Sequence, residues 1–180
     1  MIRNAFPADL DEIAALHTRA RATYYSGRIP EEAYQGEAEL ARTREGWARA
    51  VERGDGSVLC SERRGKVAGV AAFRVVDSEM TLTQLHVDPG HWRQGIGREL
   101  HAVCLEVWRR AGVVRARLEV YEHNLRAQAF YAAHGWRPTE PDPRAGSHRV
   151  LWLAVPPFRG SGSAAPDGVG GTAGAGRAGD

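Results

Sequence analysis

The sequence predicts an α/β protein built on a largely antiparallel sheet, with a parallel segment around residues 80 to 121. Two observations lead to this class. Stretches with helical apolar spacing and stretches with two-residue alternation follow one another in the order β, α, α, β, β, β, α, β, α, β, β. In addition, the stretch from 79 to 121 consists of a strand, a helix and a strand, and a crossover of this kind joins parallel strands.

Length and composition favour one globular domain. The chain has 180 residues, of which 43% are hydrophobic and 26% are charged, as is ordinary for a protein with a buried core. No apolar run approaches the ~18 residues that would span a bilayer, and the N-terminal residues include acids where a signal peptide needs an apolar stretch. We therefore expect a cytoplasmic protein with no membrane partner.

Glycine is unevenly distributed along the chain. Many of the 21 glycines lie in a C-terminal segment rich in Gly, Ala and Pro, which has too few large apolar side chains to offset its ordering entropy. We therefore expect a folded domain over residues 1–155 and a disordered tail over residues 156–180.

Charge and cysteine content exclude two further classes of partner. The basic residues are spread along a chain of net charge +2, whereas nucleic acid binding needs a clustered basic footprint, so we expect no nucleic acid partner. Cys60 and Cys104 have no CxxC spacing and no histidine-rich neighbour, so we expect two reduced core thiols and no bound metal.

The N-terminal half is predicted to form a short strand over residues 1–5, two helices and a hairpin. The first helix follows from apolar residues at three- and four-residue spacing, and the second covers 37–53. The Arg-Gly pair at 64–65 joins the two hairpin strands, with Phe73 and Val75 predicted to face the core.

The next strand, over 79–88, contains an irregularity. Its apolar residues change phase, from the even positions Met80 and Leu82 to the odd positions Leu85 and Val87. One extra residue between the two pairs would cause this change, which predicts a β-bulge. A bulge splays neighbouring strands and releases backbone groups from pairing.

The C-terminal half is predicted to contain a long helix that ends at Gly112, a strand, a short helix from Asn124 to Gly135, and strands near 136–140 and 148–155. The strand after the long helix alternates with a two-residue period. Its predicted inward positions are Val114, Ala116, Leu118 and Val120.

A strand, a Gly-x-Gly loop and a helix follow one another between Val87 and Leu100. The first N–H groups of a helix lack partners within the helix, and the helix dipole adds positive potential there, so this unit predicts an anion site. Gly95 and Gly97 have no Cβ to hold a phosphate at a distance. Flanking arginines, Arg93 and Arg98, can add charge-assisted hydrogen bonds.

Two familiar phosphate-binding templates do not fit this loop. A P-loop needs Gly-Lys-Ser/Thr, but Gly97 is followed by Arg and Glu. A dinucleotide-binding GxGxxG loop needs a small residue where Leu100 stands, although Glu119 lies at a suitable distance further on.

A third template fits once the flanking residues are included. The segments LTQLHVDPGHWRQGIGREL and LEVYEHNLRAQAFYAAHGW resemble motifs A and B of the GNAT superfamily of acetyl-CoA-dependent N-acetyltransferases, over roughly residues 80–137. One position departs from the pattern, because Trp92 stands where the family often has Gln or Arg. Since the loop binds mainly through backbone N–H groups, we expect this departure to alter affinity rather than abolish binding.

The resemblance implies the GNAT fold, with helices on both faces of the sheet, and acetyl-CoA as co-substrate. It implies that the pantetheine arm binds backbone groups of Leu85, His86 and Val87. It also implies that the pyrophosphate is held by the N–H groups of Arg93, Gln94, Gly95, Ile96, Gly97 and Arg98. Asn124 would contact the pantetheine or help to open the wedge between strands, and Tyr131 would face the thioester sulfur.

Acetyl transfer to an amine needs a neutral amine, a stabilised oxyanion and a protonated leaving thiolate. Tyr131 suits the last of these roles, and it shares one helix face with Asn124 and Ala127. Glu79, His86 and a water relay remain open as the general base. The oxyanion donor would be a strand N–H near Leu85 or His86, released by the bulge.

The acceptor site is expected in the first helices and their loop, where Tyr24, Tyr25 and Arg28 are candidates. The predicted function is acetyl transfer from acetyl-CoA to a primary amine of a small molecule, peptide or protein, by direct attack on the thioester. A non-catalytic acyl-CoA-binding regulatory module is the alternative. The protein is expected to be a monomer or a homodimer.

Overall fold

The computed structural model describes residues 1–54, 57–140 and 145–157. The strands are β1 (Ile2–Asn4), β2 (Val58–Arg63), β3 (Lys66–Val76), β4 (Glu79–Val87), β5 (Arg115–Tyr121), β6 (Arg137–Pro138) and β7 (His148–Ala154). The helices are α1 (Leu10–Tyr25), α2 (Glu37–Glu52), α3 (Ile96–Arg110) and α4 (Leu125–Ala133). The predicted tail lies outside the described residues from position 158 onward, so the domain boundary stays a prediction.

The strands form one sheet in the order β1-β2-β3-β4-β5-β7-β6. Strands β4 and β5 are parallel, and the other recorded neighbours are antiparallel. Helix α3 makes the crossover between the two parallel strands, as the strand, helix and strand order of the sequence requires. The predicted mixed sheet with a central parallel pair is therefore confirmed.

Helices cover both faces of the sheet. Alternation along β3 separates the two cores, because Ala72 packs with α1 and α2 while its neighbour Phe73 packs with α3. On the first face Leu16 and Trp47 are buried, and on the second face Trp108 is fully buried against Phe73. The two layers therefore bury both faces of the middle of the sheet.

The predicted β-bulge lies at Thr83 in strand β4. Ala72 of β3 pairs with Gln84, but the next residue, Phe73, pairs with Leu82, so Thr83 is the extra residue. Its hydroxyl donates to the Ala72 carbonyl at 3.0 Å, which joins the bulge to β3. Leu82 and Leu85 consequently pack against the same core, on the α3 side.

Strands β4 and β5 separate beyond the bulge. Their recorded pairing is limited to Met80 with Ala116 and Thr81 with Arg117. Beyond these two positions β4 continues its ladder with β3 alone, as far as Val87. The edge of β4 that faces β5 therefore borders a wedge, in which backbone N–H and C=O groups are available to a ligand.

The predicted core positions at two strand ends were wrong. Val75 is 59% exposed and Val114 is 79% exposed, although Phe73, Ala116, Leu118 and Val120 are buried as predicted. Val75 lies next to the turn between β3 and β4, and Val114 lies in the connection from α3 to β5. A residue at a strand end can point to the core face of the sheet and still be exposed, because the strand extends past the buried cluster.

Two neutral histidines make the fold sensitive to acid. Burial, with a smaller contribution from Arg21, lowers the pKa of His17 to about 3, and burial with His134 lowers the pKa of His101 to about 4. One nitrogen of each ring accepts a hydrogen bond from an indole N–H. Nδ1 of His17 accepts from Nε1 of Trp47 at 3.0 Å, and Nε2 of His101 accepts from Nε1 of Trp136 at 2.9 Å. A protonated ring could not accept these bonds.

We expect the buried neutral states of His17 and His101 to lower the free energy of unfolding by about 4 kcal/mol between pH 7 and pH 5, about 2 kcal/mol for each ring. The folded pKa values lie below the unfolded value of 6.5, so the unfolded chain binds more protons in this window. Urea unfolding at pH 7, 6 and 5 measures this loss. His101→Gln, whose amide oxygen can accept the Trp136 bond, should reduce the measured loss by about 2 kcal/mol. A stability that stays constant down to pH 5 would contradict the assignment.

Candidate active site

Two cavities meet in the wedge between β4 and β5. The first, of about 720 Å³, extends to the N-terminus of α3, and the second, of about 440 Å³, extends toward α1 and β5. The residues that line both cavities are Tyr24, Leu85, His86, Asn124, Ala127 and Tyr131. A molecule in the first cavity can therefore reach one in the second at this junction.

The loop before α3 has the geometry of an anion-binding nest. Arg93 has φ 63° and Gly95 has φ 82°, both in the left-handed region. The first bond of α3 runs from the Glu99 N–H to the Gly95 carbonyl at 3.0 Å, so the N–H groups of the preceding residues have no partner within the helix. Such a run of backbone donors at a helix N-terminus favours a phosphate group.

Gly97 lies where a Cβ would make van der Waals contact with its neighbours, so a side chain longer than Ala has little room on that side. A Cβ at this position would lie 3.4 Å from Cε2 of Phe130 and 3.7 Å from Cγ2 of Val87. The first turn of α3 thus lies directly against α4 and the end of β4. A larger side chain here has to project into the first cavity or displace the Phe130 ring.

The structure brings together every residue predicted to bind the donor. These residues line the first cavity: Leu85, His86, Val87, Arg93, Gln94, Gly95, Ile96, Gly97, Arg98 and Asn124. The bulge and the crossover helix account for this convergence, since one splays β4 from β5 and the other places its N-terminus at the end of β4.

Asn124 positions the start of helix α4. Its Oδ1 accepts the N–H of Ala127 at 3.2 Å, which is the N-cap bond of the helix. Gln128 donates to the carbonyls of Tyr121 and Glu122, at 3.2 and 2.7 Å, and so fixes the same junction with β5. These bonds hold α4 with its Asn124, Ala127 and Tyr131 face toward the wedge.

Tyr131 lies at the junction of the two cavities and is 7% exposed. Burial, followed by the nearby Tyr24, raises the pKa of its phenol above the ordinary value of 10. The hydroxyl is therefore protonated at neutral pH and can donate a hydrogen bond or a proton. It cannot serve as a general base there.

Tyr24 and Tyr25 lie in the second cavity, as predicted for the acceptor site, but Arg28 lines neither cavity. The Tyr25 ring contacts the rings of Tyr24 and Tyr121, with centroids 4.6 and 4.9 Å apart. Arg28 lies in the turn after α1, where its N–H donates to the Tyr25 carbonyl at 2.9 Å. Of the three predicted acceptor residues, the two tyrosines line a cavity and Arg28 does not; another basic side chain, Arg21, also lines the second cavity.

The predicted base Glu79 is separated from the other site residues. It stands at the start of β4, before the bulge, where its carboxylate binds Arg115 at 2.5 Å, and it lines neither cavity. The carboxylate that does line the second cavity is Glu119 of β5, which is exposed and binds Arg117 at 2.6 Å. The two-residue period puts Glu119 on the face opposite Leu118, but only the separation of β4 from β5 makes that face part of a cavity.

His86 lies on the α1 face of the sheet, where its ring stacks on His17 with centroids 4.1 Å apart. Its Nε2 is 2.6 Å from Oε1 of Gln84. Burial, with His17 and Arg21 adding to it, holds the pKa of His86 well below 6.5, so the ring is neutral and weakly basic. The stacked pair forms an uncharged wall of the second cavity.

Sequence reasoning missed three residues of α4 that line the first cavity. They are Arg126, Phe130 and His134, the last of which is the C-cap of the helix, and their four-residue spacing puts them on one helix face. This spacing is visible in the sequence. What the spacing cannot tell is that this face, next to the one with Tyr131, also borders a cavity.

Two kinds of feature are absent from the described part of the chain. Residues 1–54, 57–140 and 145–157 contain no group of three or more His, Cys, Asp or Glu side chains that could hold a metal ion. None of the helices in those ranges combines the length and the apolar character that crossing a membrane requires.

A sheet splayed at a bulge, with a glycine loop and a helix N-terminus at the end of the splayed strand, is the arrangement that the resemblance to acetyl-CoA-dependent N-acetyltransferases implies. The profile of the Acetyltransferase (GNAT) family matches residues 14–136. The chain belongs to this family of N-acetyltransferases, and the predicted superfamily and enzyme class are confirmed.

Curated relatives match the chain over a shorter range. The [Ribosomal protein bS18]-alanine N-acetyltransferase of Escherichia coli strain K12 is 38% identical over 74 residues, which cover 41% of this chain and 50% of that protein. The enzyme of the same name from Shigella flexneri matches with the same values. The match therefore spans about half the length of these relatives.

Solved structures match almost the whole described fold. The paia N-acetyltransferase of Thermoplasma acidophilum in complex with coenzyme A has a TM-score of 0.76 at 19% identity, covering 86% of this chain and 98% of that one. The E. coli ribosomal-protein-S18-alanine N-acetyltransferase has a TM-score of 0.59 at 23% identity, covering 89% and 96%. At these identities the similarity establishes the fold.

Proposed function

We propose that the protein transfers the acetyl group of acetyl-CoA to a primary amine by direct attack of the amine on the thioester. The observation that carries this proposal is the junction at Tyr131, where a cavity with a phosphate-binding nest meets a second cavity lined by aromatic rings and a carboxylate. A donor and an acceptor can meet there without a covalent enzyme intermediate.

The first cavity suits the donor. The nest and the α3 N-terminus provide backbone donors for the diphosphate, and the free edge of β4 from Leu85 to Val87 provides hydrogen-bonding groups for the amides of the pantetheine arm. This arrangement directs the thioester toward Tyr131. One of the free N–H groups of β4 would stabilise the oxyanion that forms on the acetyl carbonyl.

In the reaction, the amine nitrogen bonds to the acetyl carbon, the C–S bond breaks, and the sulfur takes a proton from the Tyr131 hydroxyl. The Tyr131 phenol is protonated, because burial raises its pKa above the ordinary value of 10, so it has a proton to give to the leaving thiolate. The phenolate regains its proton from the amine through water.

The second cavity suits an amine that arrives as an ammonium ion. The Glu119 carboxylate attracts the cation, and the Tyr121 ring offers a face for cation–π contact. Arg21 also lines this cavity, but it lies over the Tyr25 ring and binds Glu39 at 2.6 Å, so its charge is offset. Glu119 can also accept a proton from the amine, directly or through water. We therefore assign to Glu119 the role for which Glu79 was a candidate.

An acceptor screen tests the proposed function. Release of free CoA thiol is measured with acetyl-CoA and a panel of small amines, lysine-containing peptides and peptides with a free N-terminal amine. One peptide begins with alanine, because alanine of ribosomal protein bS18 is the named acceptor of the curated relatives. We expect turnover with at least one class. CoA binding without turnover on any acceptor would instead support the regulatory module.

Glu119→Gln is expected to raise the KM for the amine about tenfold and to leave the Kd for CoA unchanged, because the lost charge faces the acceptor cavity. Steady-state kinetics with the best acceptor and calorimetry with CoA separate the two quantities. Glu79→Gln is the matched control, and it should leave both unchanged. If Glu79→Gln impairs turnover and Glu119→Gln does not, the assignment of the carboxylate is wrong.

A further inference from the structure

Trp92 closes the end of strand β4 in an unusual way. It occupies the position three residues before Gly95, where a polar or basic residue was expected, and its indole N–H donates to the Val87 carbonyl at 2.9 Å. This bond fixes the ring against the mouth of the first cavity, which Trp92 lines. Position 92 of the loop therefore presents an aromatic ring to the cavity instead of a cationic or amide side chain.

Arg126 of α4 lies on that ring. Its Cζ is 3.0 Å from the centroid of the Trp92 ring, and its Nη2 donates to the hydroxyl of Thr23 at 3.2 Å. The guanidinium thus joins three separate parts of the chain: α4, the loop before α3, and α1. All three of these residues line the first cavity.

The charge of Arg126 is not neutralised by a carboxylate. Its recorded contacts within the described residues are the Trp92 ring and the Thr23 hydroxyl, neither of which is an anion. Its neighbours around the cavity mouth include two further cations, Arg93 and Arg98. Three arginines around one cavity, with one of them held in place by stacking, favour an anionic ligand.

We propose that Arg126, positioned by Trp92, binds a phosphate group of CoA from the α4 side of the cavity and supplies the charge that position 92 lacks. The guanidinium is planar and keeps donors free while it stacks, so it can bind a phosphate without leaving the ring. Trp92 acts through Arg126 and is a positioning residue. This inference rests on the proposed use of acetyl-CoA as donor.

Calorimetry with three ligands tests the proposal. CoA, 3′-dephospho-CoA and pantetheine are titrated into the wild type, Arg126→Gln and Arg126→Lys. We expect Arg126→Gln to weaken CoA binding about tenfold and to leave pantetheine binding unchanged, with Arg126→Lys in between. A loss confined to CoA identifies the 3′-phosphate as the partner, and an equal loss with 3′-dephospho-CoA identifies the diphosphate.

The role of Trp92 is tested by a double-mutant cycle. In a Trp92→Leu background, Arg126→Gln should weaken CoA binding less than threefold, because the guanidinium is no longer held at the cavity mouth. Arg110→Gln is the control, since Arg110 is at the other end of α3, lines neither cavity, and pairs with Glu106 at 2.9 Å. It should leave all three affinities unchanged.

Three results would overturn the proposal. If Arg126→Gln weakens the binding of CoA and of pantetheine equally, Arg126 has a structural role. If the variant binds CoA as tightly as the wild type, Arg126 does not contact the ligand. Additive effects of Trp92→Leu and Arg126→Gln would show that the ring does not position the guanidinium. A wild type that binds no CoA would refute the proposed function itself, which distinguishes that failure from a failure of the Arg126 assignment.

Discussion

Gly97→Glu is expected to weaken the binding of CoA by at least about 100-fold, because it adds bulk and negative charge where the nest would hold a phosphate. A Cβ at Gly97 would lie 3.4 Å from the Phe130 ring and 3.7 Å from Val87, so the longer side chain has to enter the first cavity or displace the Phe130 ring. Calorimetric titration with CoA measures the change.

The matched control for this change is Gly97→Gln, which has the same size without the charge. It should weaken CoA binding by a smaller factor, and the difference between the two variants should shrink at high salt because it is electrostatic. Melting temperatures show whether either variant disturbs the packing of α3 on α4. If a folded Gly97→Glu variant binds CoA with wild-type affinity, the diphosphate does not bind at this loop.

Tyr131→Phe is expected to lower kcat by a factor of about 100 to 10,000, with little change in the Kd for CoA. The phenol is buried at the junction of the cavities, and its raised pKa keeps it protonated, so its loss removes a proton donor without removing the ring. Single-turnover measurements with saturating amine report the chemical step.

Tyr24→Phe is the control for Tyr131→Phe, because Tyr24 also lines both cavities but is the neighbour that raises the Tyr131 pKa rather than the assigned donor. It should affect kcat much less. Equal activity of Tyr131→Phe and the wild type would refute the acid assignment, and it would be consistent with a protein that binds acyl-CoA without acting on it.

The wedge could be predicted from the sequence because its cause is local. A change of apolar phase between Leu82 and Leu85 requires one extra residue, and the structure has that residue at Thr83. The glycine loop was equally visible, since a strand, two close glycines and a helix leave few alternatives. Both features depend on residues that are close together in the chain.

The parts that sequence reasoning missed depend on contacts between distant segments. Glu79 and Glu119 are both carboxylates on strands that line the wedge or lead to it, and only the separation of β4 from β5 decides which one borders a cavity. Arg126 meets Thr23 across most of the chain, and no periodicity reports such a contact. Val75 and Val114 have the right phase, but the limits of the core decide their exposure.

A structure of the complex with CoA measures where the sulfur atom lies. We expect the sulfur within about 3.5 Å of the Tyr131 hydroxyl, with the diphosphate on the N–H groups from Arg93 to Arg98. A sulfur atom that lies outside the junction, away from Tyr131 and from the second cavity, would contradict direct transfer at this site.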